Sequence, residues 1–209
     1  MYYQNPLHAP VQPSQVSSYS SLGGAVTYQQ PTASAFGVNS SSVTRQRVPQ
    51  THYAPTGKWK QETGRVQPLN NPIDFDYIGI PKQGMPLREL CARGPHAINQ
   101  MMQGANDQIM FPSGSKITFH IRWPGYEHIE YFRTIETVTS QGKITRGQLA
   151  GIIAQNFSRY FEKVQYEATR DVRWRIGPSG IKFEHIILLS LVNVFDNAWQ
   201  AEVAVNFRS

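Results

Sequence analysis

Thr145–Val164 has the sequence TRGQLAGIIAQNFSRYFEKV. Leu149, Ile152, Ile153, Phe157, Tyr160, Phe161 and Val164 recur at three- and four-residue spacing, which gathers them on one face of a helix. Thr145 with Gln148 three residues on is a capping box, in which each side chain satisfies a backbone N–H at the helix start. Gln155, Ser158, Arg159, Glu162 and Lys163 fall off the stripe. A helix that is apolar along one whole face must lie on an apolar surface, and the flanking sequence supplies one.

On the N-terminal side, Ile117, Phe119, Ile121 and Trp123 alternate with Lys116, Thr118, His120 and Arg122. Strict alternation marks a strand with one buried face. Pro124-Gly125-Tyr126 follows, then a second run from His128 to Val138. A hairpin with this three-residue loop sets Ile121 opposite Ile129 and Phe119 opposite Tyr131. His120 then faces Glu130, and Arg122 faces His128. On the C-terminal side, Ile186–Phe195 is rich in β-branched residues, and Ala198–Phe207 alternates Trp199, Ala201, Val203 and Val205 with Gln200, Glu202 and Asn206. Asp196-Asn197 between them reads as a turn, so this is a second hairpin. Hairpin, helix, hairpin predicts an α+β domain in which the helix packs on a four-stranded mixed sheet, the order of a β-grasp arrangement. Two short helices are predicted ahead of it, Leu87–Ala92 behind Pro86 and Pro95–Gln103 before Gly104.

The chain is expected to divide near Asn70. Residues 1–70 are built from Tyr, Gln, Ser, Thr, Pro and Gly, hold five of the ten tyrosines, and show no apolar periodicity. Such a segment cannot bury enough apolar surface to offset the entropy of ordering it, so 1–70 reads as a disordered low-complexity tail and 71–209 as a single domain. Of the net charge of +6, most lies in the tail, which carries Arg45, Arg47, Lys58, Lys60 and Arg65 against Glu62. A basic linker with Trp59 between Lys58 and Lys60 has the chemistry to neutralise phosphates and stack on a base.

Other classes are excluded by simple counts. One cysteine, Cys91, makes neither an intrachain disulfide nor a multi-cysteine metal site. No apolar run is long enough to span a membrane, and the first residues lack a secretory signal pattern. The expectation is an intracellular protein, cytoplasmic or nuclear, with no membrane contact. No phosphate-binding loop, dinucleotide fingerprint, HExxH, GxSxG or kinase signature is present.

IRWPGYEH (Ile121–His128), ITRGQLAGIIAQNF (Ile144–Phe157) and the stretch Phe183–Val203 together resemble an uncharacterised basidiomycete fungal protein family, with a low-complexity tail ahead of a small α+β domain. The resemblance covers about the last two thirds of the chain. It implies a fungal, intracellular source, and it brings no activity, cofactor or catalytic residue.

Four groups of residues have the chemistry of a site. Cys91 with His96, Arg88 and Arg93 pairs a thiol with cations and a base; beside Leu87 and Leu90, the thiol reads instead as a small core residue. His120, His128 and Glu130 share the outer face of the first hairpin. Arg122 in the same ladder repels a cation, so an ion pair is the better reading and no metal is expected. Gly177-Pro178-Ser179-Gly180 has GxxG spacing, yet it follows a strand-like Trp174-Arg175-Ile176 and reads as a plain turn. Arg170, Arg173, Trp174 and Arg175 form the densest basic-aromatic cluster of the domain. With Lys58, Trp59 and Lys60 they are the candidate binding residues, unless Trp174 is core. These readings favour a non-enzymatic protein-interaction or scaffold module without a cofactor. The alternative is a nucleic-acid-binding protein that uses the basic linker and the Arg/Trp cluster, with an enzyme last.

Overall fold

A computed structural model of the chain describes residues 43–54, 70–112 and 114–208. In chain order the strands are β1 (Val43–Arg47), β2 (Ile73–Asp74), β3 (Met85–Pro86), β4 (Lys116–His120), β5 (Phe132–Glu136), β6 (Val138–Thr139), β7 (Gly142–Lys143), β8 (Ile186–Phe195) and β9 (Ala198–Arg208). The helices are α1 (Leu87–Ala92), α2 (Pro95–Met101) and α3 (Arg146–Val164).

The two expected hairpins form, β4 with β5 and β8 with β9. They join because β4 runs parallel to β9, with Phe119 beside Trp199. The order β5-β4-β9-β8 therefore has antiparallel outer pairs and a parallel centre, the mixed sheet expected of a β-grasp arrangement. Short β2 and β3 line the far side of β8. The small β6–β7 hairpin stands apart from this sheet.

α3 lies on one face of the sheet. Its box closes as the sequence requires, Gln148 N–H donating to Thr145 Oγ1 (3.3 Å) and Thr145 N–H to Gln148 Oε1 (2.9 Å). Leu149, Ile153, Phe157, Tyr160, Phe161 and Val164 are buried in one cluster with Ile117, Phe119 and Ile135 of the first hairpin and Leu188, Leu191, Trp199 and Val203 of the second. Phe157 meets Phe119 edge to face, with ring centroids 6.2 Å apart. Among the described residues no helix is long and apolar enough to cross a membrane.

Three expectations change. The boundary at Asn70 falls too late. Val43–Arg47, placed in the tail by composition, is a strand paired antiparallel with β9, from Val43↔Arg208 to Arg47↔Ala204. It continues the side of β9 that β4 occupies at the other end. Its ladder is backbone chemistry and needs no apolar stripe, which is why composition missed it. Residues 1–42 and 55–69 of the expected tail, including Lys58, Trp59, Lys60 and Arg65, lie outside the described residues.

The first hairpin also pairs two residues further along than expected. Phe119 faces Arg133 and His120 faces Phe132, not Tyr131 and Glu130. An even shift keeps every side chain on its face, so the apolar pattern could not distinguish the registers. The longer connection, residues 121–131, turns inward and plugs the end of the core. Trp123 and Tyr126 are both fully buried. Trp123 Nε1 donates to Trp174 O (2.8 Å), Tyr126 Oη accepts from Ile176 N–H (3.1 Å), and Arg170 N–H donates to Gly125 O (2.9 Å). Gly125 has φ +82, and a Cβ there would lie 2.5 Å from Thr169 Oγ1, so the close approach of the two segments requires glycine.

Finally, Trp174-Arg175-Ile176 is not a strand. Val172–Trp174 is a single 3₁₀ turn capped by Asp171, whose carboxylate accepts from Arg173 N–H (3.0 Å).

Candidate protein-docking surface

The aromatic of the basic-aromatic cluster lies inside the fold, with the Arg173 guanidinium 5.8 Å from the centroid of the Trp174 ring. Trp174 is fully buried, 6.3 Å from Trp123 and 6.2 Å from Phe207 between ring centroids. Its ring faces the core and offers no stacking surface, which corrects its place among the candidate binding residues. Arg170, Arg173 and Arg175 are exposed and form no ion pair among the described residues. Glu127 sits beside them. Burial alone would raise its carboxyl, but hydrogen bonds from its own and Gly125's backbone N–H, with Arg170 and His128 nearby, outweigh that and hold it below the ordinary value.

The histidine–glutamate group does not assemble into a metal site either. Among the described residues no three His, Cys, Asp or Glu side chains are placed to hold an ion. His120 instead belongs to an aromatic stack on the outer face of the sheet, with Tyr53 above it (centroids 4.1 Å, planes 21° apart) and Phe132 beside it at 5.9 Å. Tyr53 ends a strap that crosses β9. Gln50 Nε2 donates to Ala201 O (2.7 Å), Gln200 Nε2 donates to Thr51 O (3.3 Å), and Gln200 Oε1 accepts from Tyr53 N–H.

Burial, then the charge of Arg122, hold His120 below its ordinary value of 6.5, against an opposing pull from Glu130. The neutral ring is therefore the form the fold favours. The stability this contributes is complete above the ordinary value and is lost as pH falls through the lowered one. The thermal midpoint of the wild type should fall between about pH 7.5 and about pH 5.5, and His120→Gln should reduce that fall. An identical fall in both proteins would show that other groups carry the acid sensitivity.

Cys91 is exposed at the end of α1 and is not the core residue expected, because the helix turns it away from Leu87 and Leu90; partial desolvation still raises its thiol above the ordinary value. A thiol held protonated is a poor nucleophile. It lies on the wall of a cleft of about 440 Å³ between α1–α2 and the first half of α3. The floor is apolar: Leu90, Ile98, Ile144 and Ile152. The rim carries amides: Asn99, Asn106, Gln148 and Gln155. Arg93 is the one charged residue lining it, and it is already paired with Glu89 (3.3 Å). α3 presents Gly151 here, and a Cβ at that position would meet nothing within 4 Å.

Sequence reading passed over this cleft. Ile152 counted as core, whereas it is half-buried on the floor of the cleft, and Gly151 drew no reading at all. Glycine between two glutamines on a helix, beside an apolar stripe, is the one local signal of it.

No family model matches the chain, and no curated protein and no solved structure matches it significantly.

Proposed function

We propose that the domain is a non-enzymatic protein-interaction module that receives an uncharged segment of a partner protein in the cleft between α1–α2 and α3. The carrying observation is the cleft that Gly151 lines, with an apolar floor, side-chain amides at its rim and open space beside the glycine. A volume of about 440 Å³ suits one or two inserted side chains, and buried anchors of that kind dominate protein interfaces. The amides of Asn99, Asn106 and Gln155 match the donors and acceptors of a peptide backbone. No free charge lines the cleft, so a charged group entering it would lose hydration without compensation. The lining also lacks a paired acid and base, which is what general catalysis would require.

The alternative, nucleic-acid binding, rests on Arg170, Arg173 and Arg175 together with the linker residues Lys58 and Lys60. With Trp174 inside the core, the domain's share of that reading is phosphate attraction alone, which falls steeply with salt.

The test is selection of binders from a random displayed-peptide library, with Gly151→Leu as the control. Leucine fills the open space at a helical position with room for it and favours the helix over glycine. Peptides carrying an uncharged aliphatic or aromatic anchor should bind the wild type and lose at least about tenfold in affinity on Gly151→Leu. Peptide binding indifferent to Gly151→Leu would sink the proposal. A submicromolar affinity for RNA or DNA that is lost when Arg170, Arg173 and Arg175 are neutralised would install the alternative.

A further inference from the structure

β5 borders the sheet, and among the described residues no strand pairs with its outer side. The β4 ladder fixes which of its backbone groups are spent. Ile121 N–H donates to Tyr131 O (3.0 Å) and Thr137 N–H to Ser115 O (2.8 Å). With Ile117 facing Ile135 and Phe119 facing Arg133, the odd-numbered residues of β5 bond to β4. The N–H and C=O groups of Phe132, Thr134 and Glu136 therefore point away from the sheet, as alternate residues of an antiparallel strand must. Arg133 Nη1 reaches round to the Phe132 carbonyl (3.0 Å). An open row of this kind is a template for another strand.

The sequence along this border is complementary to its own reverse. Turned about a two-fold axis through Phe132, Glu130-Tyr131-Phe132-Arg133-Thr134 places Phe132 against Phe132, Tyr131 against Arg133 and Glu130 against Thr134. The outward-pointing groups meet one another in this register. On the outer face two phenyl rings come together, each 51% exposed in the single chain. On the other face Arg133 falls opposite Tyr131, whose ring is buried and covered by the guanidinium of its own chain at 4.9 Å, so no like charges meet there. Thr134 falls opposite Glu130, a hydroxyl donor against a carboxylate acceptor. Neighbouring registers lack this match. An axis through Arg133 sets two guanidinium groups directly opposite, which is repulsive. An axis through Thr134 sets Glu136 against Phe132 and Arg133 against Ile135.

We infer that the chain forms a two-fold symmetric dimer by antiparallel pairing of β5 with β5 of a second copy, in the register centred on Phe132. The interface is isologous, because the same residues serve on both sides. It joins two sheets into one and leaves the cleft at α3 outside the contact.

Sedimentation velocity on the full chain, from micromolar to hundreds of micromolar, tests it. The wild type should shift from monomer to dimer with concentration. Thr134→Pro removes an outward N–H that β4 does not use, and proline is tolerated at a sheet border. It should weaken dimerisation at least about tenfold with the thermal midpoint held. Phe132→Lys puts two like charges at the axis of an exposed position and should do the same, so the test survives if the proline variant folds poorly. A wild type that stays monomeric throughout, or a dimer that persists in Phe132→Lys, overturns the inference.

Discussion

Trp174→Ala is expected to unfold the domain, not to weaken a contact at its surface. The indole is fully buried, edge-on to Trp123 and within ring-contact distance of Phe207. Removing it leaves a cavity where the inward-turned connection 121–131 meets β9, at a cost of about 3–5 kcal/mol for a large aromatic replaced by alanine. Whole domains are stable by only about 5–15 kcal/mol. The Trp123 indole N–H bonds to the Trp174 carbonyl, so loss of packing there also loosens a buried hydrogen bond. Urea denaturation should show the midpoint collapsing, while neutralising Arg173 or Arg175, both exposed, should cost under about half a kcal/mol each. A folded Trp174→Ala protein of wild-type stability would put the ring back on the surface, and with it the stacking half of a nucleic-acid site.

The second large effect belongs to α3. Phe157 has no exposed surface and packs against Phe119 at the parallel centre of the sheet. Phe157→Ala should cost about 3–5 kcal/mol. Two residues on, Arg159 faces water, and Arg159→Ala should cost under about half a kcal/mol. Comparable losses from the two would mean that α3 is rotated on the sheet relative to the face described here.

Legibility followed the physics of each element. α3, β4, β8 and β9 were readable because burial on one face writes a period into the side chains, and the capping box wrote the start of α3. β1 was not, because VTRQR (Val43–Arg47) carries four polar side chains among five and is held by the backbone ladder to β9. Only Val48, just beyond it and 8% exposed, hints at a core contact. The register of the first hairpin was hidden by the parity of its shift. The candidate site was harder still. The cleft takes one wall from α1 and α2 and the other from α3, elements far apart in sequence that local patterning cannot bring together. Trp174 misled because Arg173 and Arg175 beside it give its neighbourhood the look of a surface, while the 3₁₀ turn buries the indole and leaves both arginines exposed.

The core is held by one arrangement, a sheet with a parallel β4–β9 centre that β1 extends and that β5 leaves open at its border. Residue-resolved amide hydrogen exchange tests it most directly. Thr118 N–H, bonded to Asn197 O across the parallel centre (2.9 Å), and Val48 N–H, bonded to Val203 O just beyond β1 (2.9 Å), should exchange slowly, with Thr118 opening only on global unfolding. Thr134 N–H, pointing off the border of β5, should exchange far faster in the dilute monomer and slow as concentration rises. A Thr118 amide that exchanges as fast as that of Thr134 would contradict the parallel pairing, and with it the arrangement that positions the core, the cleft and the open border.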